Sequence, residues 1–170
     1  MRIRTLTAAD ATTALPQLIS LLQETVAGGA SLGFMPPLSP QTAKRYWEGI
    51  FREITESKRI LLVAFEADEI IGTVQLELAQ KENALHRAEV QKVMVAPRFR
   101  RQGVARALMK AIEESARQAG RTLLVLDTER ESDAEHFYPG CGYTRSGVIP
   151  QYARRTDGSL VDTVVFYRLL

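Results

Sequence analysis

The chain has 170 residues, of which 45% are hydrophobic and 25% charged, with a formal net charge of +2. This length suits one domain with one substantial core, and we expect residues 1–170 to form it. The small net charge argues against a dedicated nucleic-acid binder, which usually carries a strong basic excess. Cys141 is the only cysteine and there are two histidines, so neither an intramolecular disulfide nor a metal cluster is expected. The sequence shows neither a membrane-spanning apolar run nor a signal peptide, and a cytoplasmic location is therefore expected.

Hydrophobic periodicity and turn residues divide the first half of the chain into two helices and three strands. In chain order these are a strand at 2–6, a helix at about 8–27, a loop at 28–37, a helix at about 40–57, and a hairpin of strands at 60–65 and 70–79. Pro16 lies inside the first helix, which is therefore expected to start late or to be split. Ser39 is the predicted N-cap of the second helix, and Pro40 takes its first position.

The second half of the chain predicts a βαβ unit followed by a hairpin. In chain order its elements are a strand at 88–95, a helix at about 102–118, an apolar strand at 123–126, a short helix opened by the capping-box pattern Ser132–Glu135, and strands at 142–149 and 160–169. A strand, a helix and an apolar strand within about 40 residues predict one parallel pair. The predicted fold class is therefore mixed α/β, with a largely antiparallel sheet of about seven strands, a central parallel pair and about four helices.

The segment that precedes the third helix has the features of an anion site. A helix N-terminus presents unpaired N–H groups and partial positive charge, which attract an anion. Gly103 lies at this point and allows an oxygen atom to approach the backbone closely. Four arginines lie within residues 98–106, although basic residues are unfavourable at a helix start. A solvated basic turn is the alternative, but this clustering favours phosphate binding.

Three stretches resemble sequence elements of the GCN5-related N-acetyltransferase (GNAT) family. Arg100–Ala105 matches its Arg/Gln-x-x-Gly-x-Gly/Ala signature, Glu89–Pro97 is similar to its fourth strand, and Ala134–Tyr143 is similar to its Ala-x-x-x-Tyr-x-x-x-Gly-Phe/Tyr element. The order of elements along the chain agrees with that family. The resemblance implies a GNAT fold and an N-acetyltransferase that uses acetyl-CoA as cosubstrate, with no metal.

The resemblance also implies which residues bind the cosubstrate. The fourth and fifth strands are expected to splay apart, with pantetheine between them on the backbone of Val93, Met94 and Val95. The pyrophosphate is expected on the loop and the first helical turn, at Arg100, Arg101, Gln102, Gly103, Val104, Ala105 and Arg106.

Acetyl transfer to an amine requires a neutral amine and benefits from a proton for the leaving thiolate. Tyr138 matches the family tyrosine that faces the sulfur and is the candidate acid, with a packing role as the alternative. Pro139 follows it directly and is expected to kink or end the helix there.

Two carboxylates are the candidate bases that deprotonate the amine. Glu89 matches a recurrent acidic position of the fourth strand, and its alternative is an ion pair with Arg87 or Lys92. Asp127 lies at the end of the predicted fifth strand, and its alternative is a turn residue. Buried carboxylates are uncommon without a partner or a task, which favours a functional role for both.

The acceptor is predicted from a narrower resemblance. Residues 22–35, 87–95 and 126–129 are similar to members of the family that acetylate a small β-lactam amino-acid toxin, in which the matching aspartate and tyrosine are the proposed catalytic pair. Asp127 is therefore favoured over Glu89.

The family layout places the loop between the first two helices beside the acceptor, although a plain helix connection is the alternative. Its predicted substrate-binding residues are Gly29, Ser31, Phe34 and Met35. The predicted partner is thus a small-molecule amine, amino-acid-like or a toxin. A protein N-terminus or lysine as acceptor, and a non-catalytic CoA-sensing module, stay open. Neither nucleic acid nor a membrane is expected as a partner, and a homodimer is possible.

Overall fold

The computed structural model describes residues 1–30 and 32–170. Within these residues, seven strands form one sheet in the order β1-β2-β3-β4-β5-β7-β6. The strands are β1 (Arg2–Leu6), β2 (Arg59–Glu66), β3 (Glu69–Leu78), β4 (Arg87–Val95), β5 (Leu123–Glu129), β6 (Thr144–Arg154) and β7 (Leu160–Leu169). The α-helices are α1 (Ala11–Ala27), α2 (Pro40–Thr55), α3 (Val104–Gln118) and α4 (Asp133–Phe137). β4 and β5 pair in parallel and the other neighbours are antiparallel, which confirms the predicted fold class.

The first two helices start as their sequences predict. α1 begins at Ala11, after a short 3-10 turn, and continues unbroken through Pro16. The helix does start later than Ala8, but its start lies before Pro16, so the expectation that Pro16 would delay or split the helix is wrong. α2 has Pro40 at its first position, and its N-cap Ser39 accepts the N–H of Thr42 at 3.1 Å. The cap satisfies one of the N–H groups that a helix start leaves free.

The sheet carries a hydrophobic layer on each face. On one face α1 and α2 enclose Trp47, whose indole N–H donates to the carbonyl of Leu18 at 2.9 Å. On the other face α3 buries Leu108, Met109 and Ile112 against the strands. Within the described residues, the helices have no stretch long and apolar enough to cross a membrane.

β5 and β6 are longer than predicted. The periodicity predicts a fifth strand that ends at Leu126, but the strand continues to Glu129 because its last residues pair with β7. β6 likewise continues beyond Ile149 to Arg154, again through pairing with β7. Both extensions depend on a partner strand that is distant in sequence, so local periodicity could not define them.

α4 is short and has half of the predicted capping box. Ser132 Oγ accepts the N–H of Glu135 at 3.2 Å, as expected. The Glu135 carboxylate, however, accepts the N–H of Glu131 at 2.6 Å and not that of Ser132. The helix ends at Phe137, and Pro139 opens a 3-10 turn, which confirms the predicted break.

β4 and β5 are paired over only three residues. Arg87–Glu89 lies opposite Leu123–Val125, and the two strands then diverge as β4 continues to Val95 and β5 to Glu129. Beyond this short ladder the facing edges have no strand partner in the described part of the chain. Backbone N–H and C=O groups need hydrogen-bond partners. The gap between the two strands, which we call the β4–β5 cleft, is therefore suited to an extended ligand.

A β-bulge at Lys92 changes the faces of β4. The register with β3 shifts there, and Lys92 has a φ of +50°. Val90 faces the α3 layer, as Val93 does, whereas Met94 faces the α1–α2 layer. Regular alternation would put Val90 and Met94 on the same face. The bulge thus inserts one residue and exchanges the two faces of the strand just where the cleft opens.

Gly72 on β3 lies where β4 and the start of α3 meet. A Cβ at this position would lie 2.7 Å from the carbonyl oxygen of Met94 and 3.2 Å from Val104 Cγ1. We predict that Gly72→Ala lowers the free energy of unfolding by about 1–3 kcal/mol, because the β4 backbone must shift to admit the methyl group. Chemical denaturation measures this loss.

Gly147→Ala on β6 is the matched control, since a Cβ there meets no heavy atom within 4 Å. Its free energy of unfolding should stay within about 0.5 kcal/mol of the wild type. Equal losses in the two variants would contradict the packing explanation.

Candidate active site

The loop before α3 presents backbone N–H groups close to the wide end of the β4–β5 cleft. Gly103 is the N-cap of α3 with a φ of +82°, and Arg101 has a φ of +61°. In the described part of the chain, the N–H groups of residues 101–106 have no intramolecular acceptor. Successive unpaired N–H groups at a helix N-terminus form an anion-binding site. Gly103 fits here because a left-handed backbone suits glycine.

The side chains of the arginines in this segment are engaged within the protein. Their partners are Glu69 for Arg98, the Val95 carbonyl for Arg100 at 3.4 Å, Asp133 for Arg101 at 2.8 Å, and the Gly140 carbonyl for Arg106 at 2.7 Å. The bonds of Arg101 and Arg106 tie the loop to α4 and to the turn after it. The free donors of the predicted phosphate site are therefore backbone N–H groups, and the arginines add positive potential around them.

Val93, Met94 and Val95 lie on the part of β4 that borders the cleft. On one side this stretch pairs with β3, where Met94 lies opposite Thr73 and Val95 opposite Gly72. Its other edge faces the cleft without a strand partner among the described residues. An extended ligand with amide groups can pair with such an edge. The residues predicted to hold pantetheine thus occupy a position that fits it.

Glu89 and Asp127 come from the two diverging strands and lie on the same face of the sheet. Glu89 is half-buried and lies opposite Val125, the last paired position, whereas Asp127 is exposed and lies two residues farther along β5. Both line a cavity of about 170 Å³, together with Thr163 and Tyr152. The structure therefore brings the two candidate bases together, although the expected burial is wrong for Asp127. In the described residues no cluster of three metal-ligating side chains accompanies them.

Each of the two carboxylates is held by a neutral donor. Gln91 Nε2 donates to Glu89 Oε1 at 2.8 Å, and Thr163 Oγ1 lies 2.7 Å from Asp127 Oδ2. Neither carboxylate forms an ion pair within 4.0 Å in the described part of the chain. The alternative ion pair of Glu89 with Arg87 or Lys92 is therefore not formed. Asp127 is also not a strand-end turn residue, because β5 continues beyond it. Each carboxylate keeps a second oxygen atom that these hydrogen bonds do not use.

Tyr138 approaches from the opposite, α3-covered face of the sheet. Its ring is 7% exposed and packs against Tyr143 and Phe166, at centroid distances of 6.0 and 5.8 Å. Its hydroxyl forms no hydrogen bond among the described residues. Burial, with smaller effects of Cys141 and Asp127, raises the pKa of Tyr138 above its ordinary value. The phenol is thus held in its protonated form with a proton to donate.

The predicted substrate-binding residues are spread along the loop between α1 and α2. Phe34 packs edge-to-face on Tyr46 of α2, with ring centroids 5.2 Å apart. Gly29 has a φ of +84°, and Met35 is 49% exposed. Ser31 lies outside the described residues. The loop therefore presents Met35 to solvent and fixes Phe34 against α2.

Sequence reasoning missed several polar residues around the carboxylates. Gln91 donates a hydrogen bond to Glu89, and Thr163 donates one to Asp127. Lys92 is the residue with positive φ at the bulge. For Gln91 a signal was available, because it follows Glu89 by two residues and shares its face of the strand. Thr163 lies 36 residues beyond Asp127, and only the pairing of β5 with β7 brings them together.

Comparisons with known sequences agree with this geometry. The sequence profile of the Acetyltransferase (GNAT) family matches residues 21–143. The chain is 34% identical over 128 residues to an uncharacterized N-acetyltransferase of the hisH-hisA intergenic region of Azospirillum brasilense, a match that covers 74% of this chain and 72% of that protein. It is 35% identical over 89 residues to an aminoalkylphosphonate N-acetyltransferase of Salmonella typhimurium, over 49% of this chain and 56% of that protein.

Comparison with solved structures identifies the same architecture. The structure of yncA from Salmonella typhimurium, solved with its cofactor acetyl-CoA, is 19% identical with a TM-score of 0.80, and the match covers 100% of this chain and 94% of that one. At this identity the likeness shows the fold. Together with the profile, which spans most of the chain, these matches show that the chain belongs to the GNAT family of acetyl-CoA-dependent N-acetyltransferases.

Proposed function

We propose that this protein transfers the acetyl group of acetyl-CoA to the primary amine of a small amino-acid-like molecule, by direct attack in a ternary complex. One observation carries the proposal. β4 and β5 diverge beyond Glu89, with a carboxylate from each strand on one face of the sheet and the Tyr138 side chain packed on the other. In the proposed reaction the carboxylates would accept a proton from the amine and the Tyr138 phenol would donate one to the leaving thiolate.

The free backbone groups of the cleft suit the cosubstrate. The N–H groups of residues 101–106 would hold its pyrophosphate, and the open edge of β4 at Val93–Val95 would pair with its pantetheine amides. Acetyl-CoA supplies the activated acetyl group when it is bound. Arg100, Gln102, Val104 and Ala105 complete the predicted cofactor-binding set around these groups.

Asp127 and Glu89 have different proposed roles in removing a proton from the amine. Asp127 is the proposed base, because it lies inside the cleft and its hydrogen-bonded position is fixed by Thr163. Its exposure lets a water molecule relay the proton. Glu89, fixed by Gln91, supports it with a second negative charge that attracts the ammonium form of the acceptor.

The cavities on the carboxylate face support a small acceptor. These measure about 170 and 320 Å³, and the larger is at the lower end of the range for small-molecule sites. Small acceptors are also supported by the resemblance of residues 22–35, 87–95 and 126–129 to the tabtoxin resistance protein. Gly29, Ser31, Phe34 and Met35 are proposed to border the acceptor. A cytoplasmic location and a possible homodimer stay predictions.

An acetyl-CoA assay across a panel of amines, including amino-acid antimetabolites and a peptide N-terminus, tests the proposal. We expect turnover with small amino-acid-like amines and little with the peptide. Calorimetry of CoA binding accompanies it, and absence of CoA binding would rule out the proposed reaction. Preference for the peptide would shift the proposal to protein acetylation.

Asp127→Asn removes the proposed base with little change in shape. We predict that kcat falls about 100-fold or more, and that Glu89→Gln costs less than about tenfold, because general-base catalysis contributes two to four orders of magnitude. Asp162→Asn is the control, since Asp162 pairs with Arg130 outside the cleft and its loss should leave kcat unchanged. A larger loss for Glu89→Gln than for Asp127→Asn would make Glu89 the base.

Tyr138→Phe removes the proposed proton donor and keeps the ring. We predict a fall in kcat of about 100-fold with an unchanged KM for acetyl-CoA. Because the pKa of Tyr138 is raised, the wild-type enzyme should not lose activity through this group below about pH 10. Tyr143→Phe, in the same core, is the control and should keep full kcat. Unchanged turnover of Tyr138→Phe would remove Tyr138 from the acid role.

Gly103→Ala tests the phosphate loop. A Cβ at Gly103 meets no heavy atom within 4 Å, so the substitution acts through its φ of +82° alone. We predict that the Kd for CoA rises about 5- to 30-fold, because the free loop of the variant would relax from the left-handed conformation and binding would have to restore it at a cost of about 1–2 kcal/mol. Gly158→Ala carries the same strain, with a φ of +86° in a distant turn, and should leave the Kd unchanged. Equal Kd values for all three proteins would contradict the role of the loop.

A further inference from the structure

A second cavity lies on the same face of the sheet as Glu89, between α2 and the bulged part of β4. It measures about 320 Å³, and Arg45, Tyr46, Gly49, Arg59 and Lys92 contribute to its walls. Gln91 also lines it and donates to Glu89, which faces the neighbouring cavity with Asp127. Gln91 and Glu89, joined by this hydrogen bond, thus lie between this cavity and the proposed site of proton transfer.

The acidic groups near the cavity are already engaged by Arg59. This buried guanidinium forms ion pairs with Glu53 and with Glu77, the latter at 2.8 Å. It also donates to Gln75 Oε1 at 3.1 Å and to Gln91 Oε1 at 2.9 Å. A buried charge requires such partners. The carboxylates around Arg59 therefore do not neutralise the other cations of the cavity.

Lys92 and Arg45 are those other cations. In the described part of the chain, neither forms an ion pair within 4.0 Å. Lys92 is half-buried, and its Nζ lies 5.9 Å from the centroid of the Tyr46 ring and 4.0 Å from the place that a Cβ of Gly33 would occupy. Arg45 is exposed at the mouth of the cavity. Among the residues that line the cavity, the positive charges of Arg45, Arg59 and Lys92 therefore exceed the single negative charge of Glu53.

The environment of Lys92 disfavours its charge. Burial and the positive charge of Arg59 lower the pKa of Lys92, and the smaller effects of Asp127 and Glu89 oppose them. An anion at Nζ would offset the cost of burial and favour the ammonium form. An exposed lysine would not require an anionic partner, because water would solvate its ammonium group.

We infer that Lys92, assisted by Arg45, binds an anionic group of the acceptor, a carboxylate or a phosphonate, while the amine of the same molecule points towards Glu89 and Asp127. The inference rests on the proposed acetyl transfer and names its substrate class: short amines that carry an anion. The arrangement of charges matches such a molecule, since carboxylates lie at one end and unpaired cations at the other. Lys92 is then a specificity-determining residue.

Paired acceptors test this inference. Leucine is compared with leucinamide, and aminomethylphosphonate with methylamine, so that the two arms separate a carboxylate from a phosphonate. The amide presents the less basic amine and thus more of the neutral form, so a preference for the free acid cannot result from amine pKa. We expect the wild-type enzyme to show a higher kcat/KM for the anionic member of at least one pair.

Lys92→Gln should lower kcat/KM for that anionic acceptor about 10- to 100-fold, mainly through KM, and change it less than about threefold for the neutral partner. Arg45→Gln should give a smaller loss of the same kind. Lys44→Gln is the matched control, since Lys44 pairs with Glu48 outside the cavity. The KM for acetyl-CoA should stay constant in all three variants.

Three outcomes would overturn the inference. If wild-type enzyme acetylates both members of each pair equally well, the acceptor class is wrong while the proposed function stands. If Lys92→Gln lowers the turnover of anionic and neutral acceptors equally, Lys92 supports the fold or the chemistry and does not select the acceptor. If wild-type enzyme binds CoA but acetylates none of the four amines, the proposed function fails and the inference fails with it.

Discussion

The short parallel ladder between β4 and β5 is the constraint on which the rest of the structure depends. Three residue pairs hold the centre of the sheet together, and beyond Glu89 the two strands separate. Each strand keeps its outer partner, β3 or β7, so the separation leaves open only the edges that face each other. Open backbone edges in a sheet are costly unless something pairs with them. At the proposed site, a bound ligand would supply the hydrogen-bond partners that these backbone edges lack.

The bulge at Lys92 changes which side chains of β4 face the α1–α2 side of the sheet. Before the bulge, Glu89 and Gln91 face the α1–α2 side with their polar groups, and after it Met94 takes that side. Without the inserted residue, Met94 would face the α3 layer. On the α1–α2 side of β4, the polar side chains of Glu89 and Gln91 therefore precede the bulge, and the apolar side chain of Met94 follows it.

Much of the fold could be predicted because its signals are local. The apolar positions of α3, the cap at Ser39 and the βαβ spacing each depend on residues close in sequence. The bulge could not be predicted, because Lys92 has a positive φ without being a glycine or an asparagine. The roles of Thr163 and Arg59 could not be predicted from the sequence for a different reason. Their roles depend on strand pairing and on contacts between residues far apart in the chain.

The three-residue ladder also divides the sheet into two parts, β1 to β4 and β5 to β7 with β6 at the far edge. Hydrogen bonds between the parts are few, so the central seam depends on the α3 layer and on Leu124, Leu126 and Phe166, which pack beneath it. A molecule that pairs with the open edge of β4 and rests against β5 would act as an additional strand across this seam. Binding of the cosubstrate and unfolding of the protein would then be thermodynamically linked, because the bound molecule connects the two parts of the sheet.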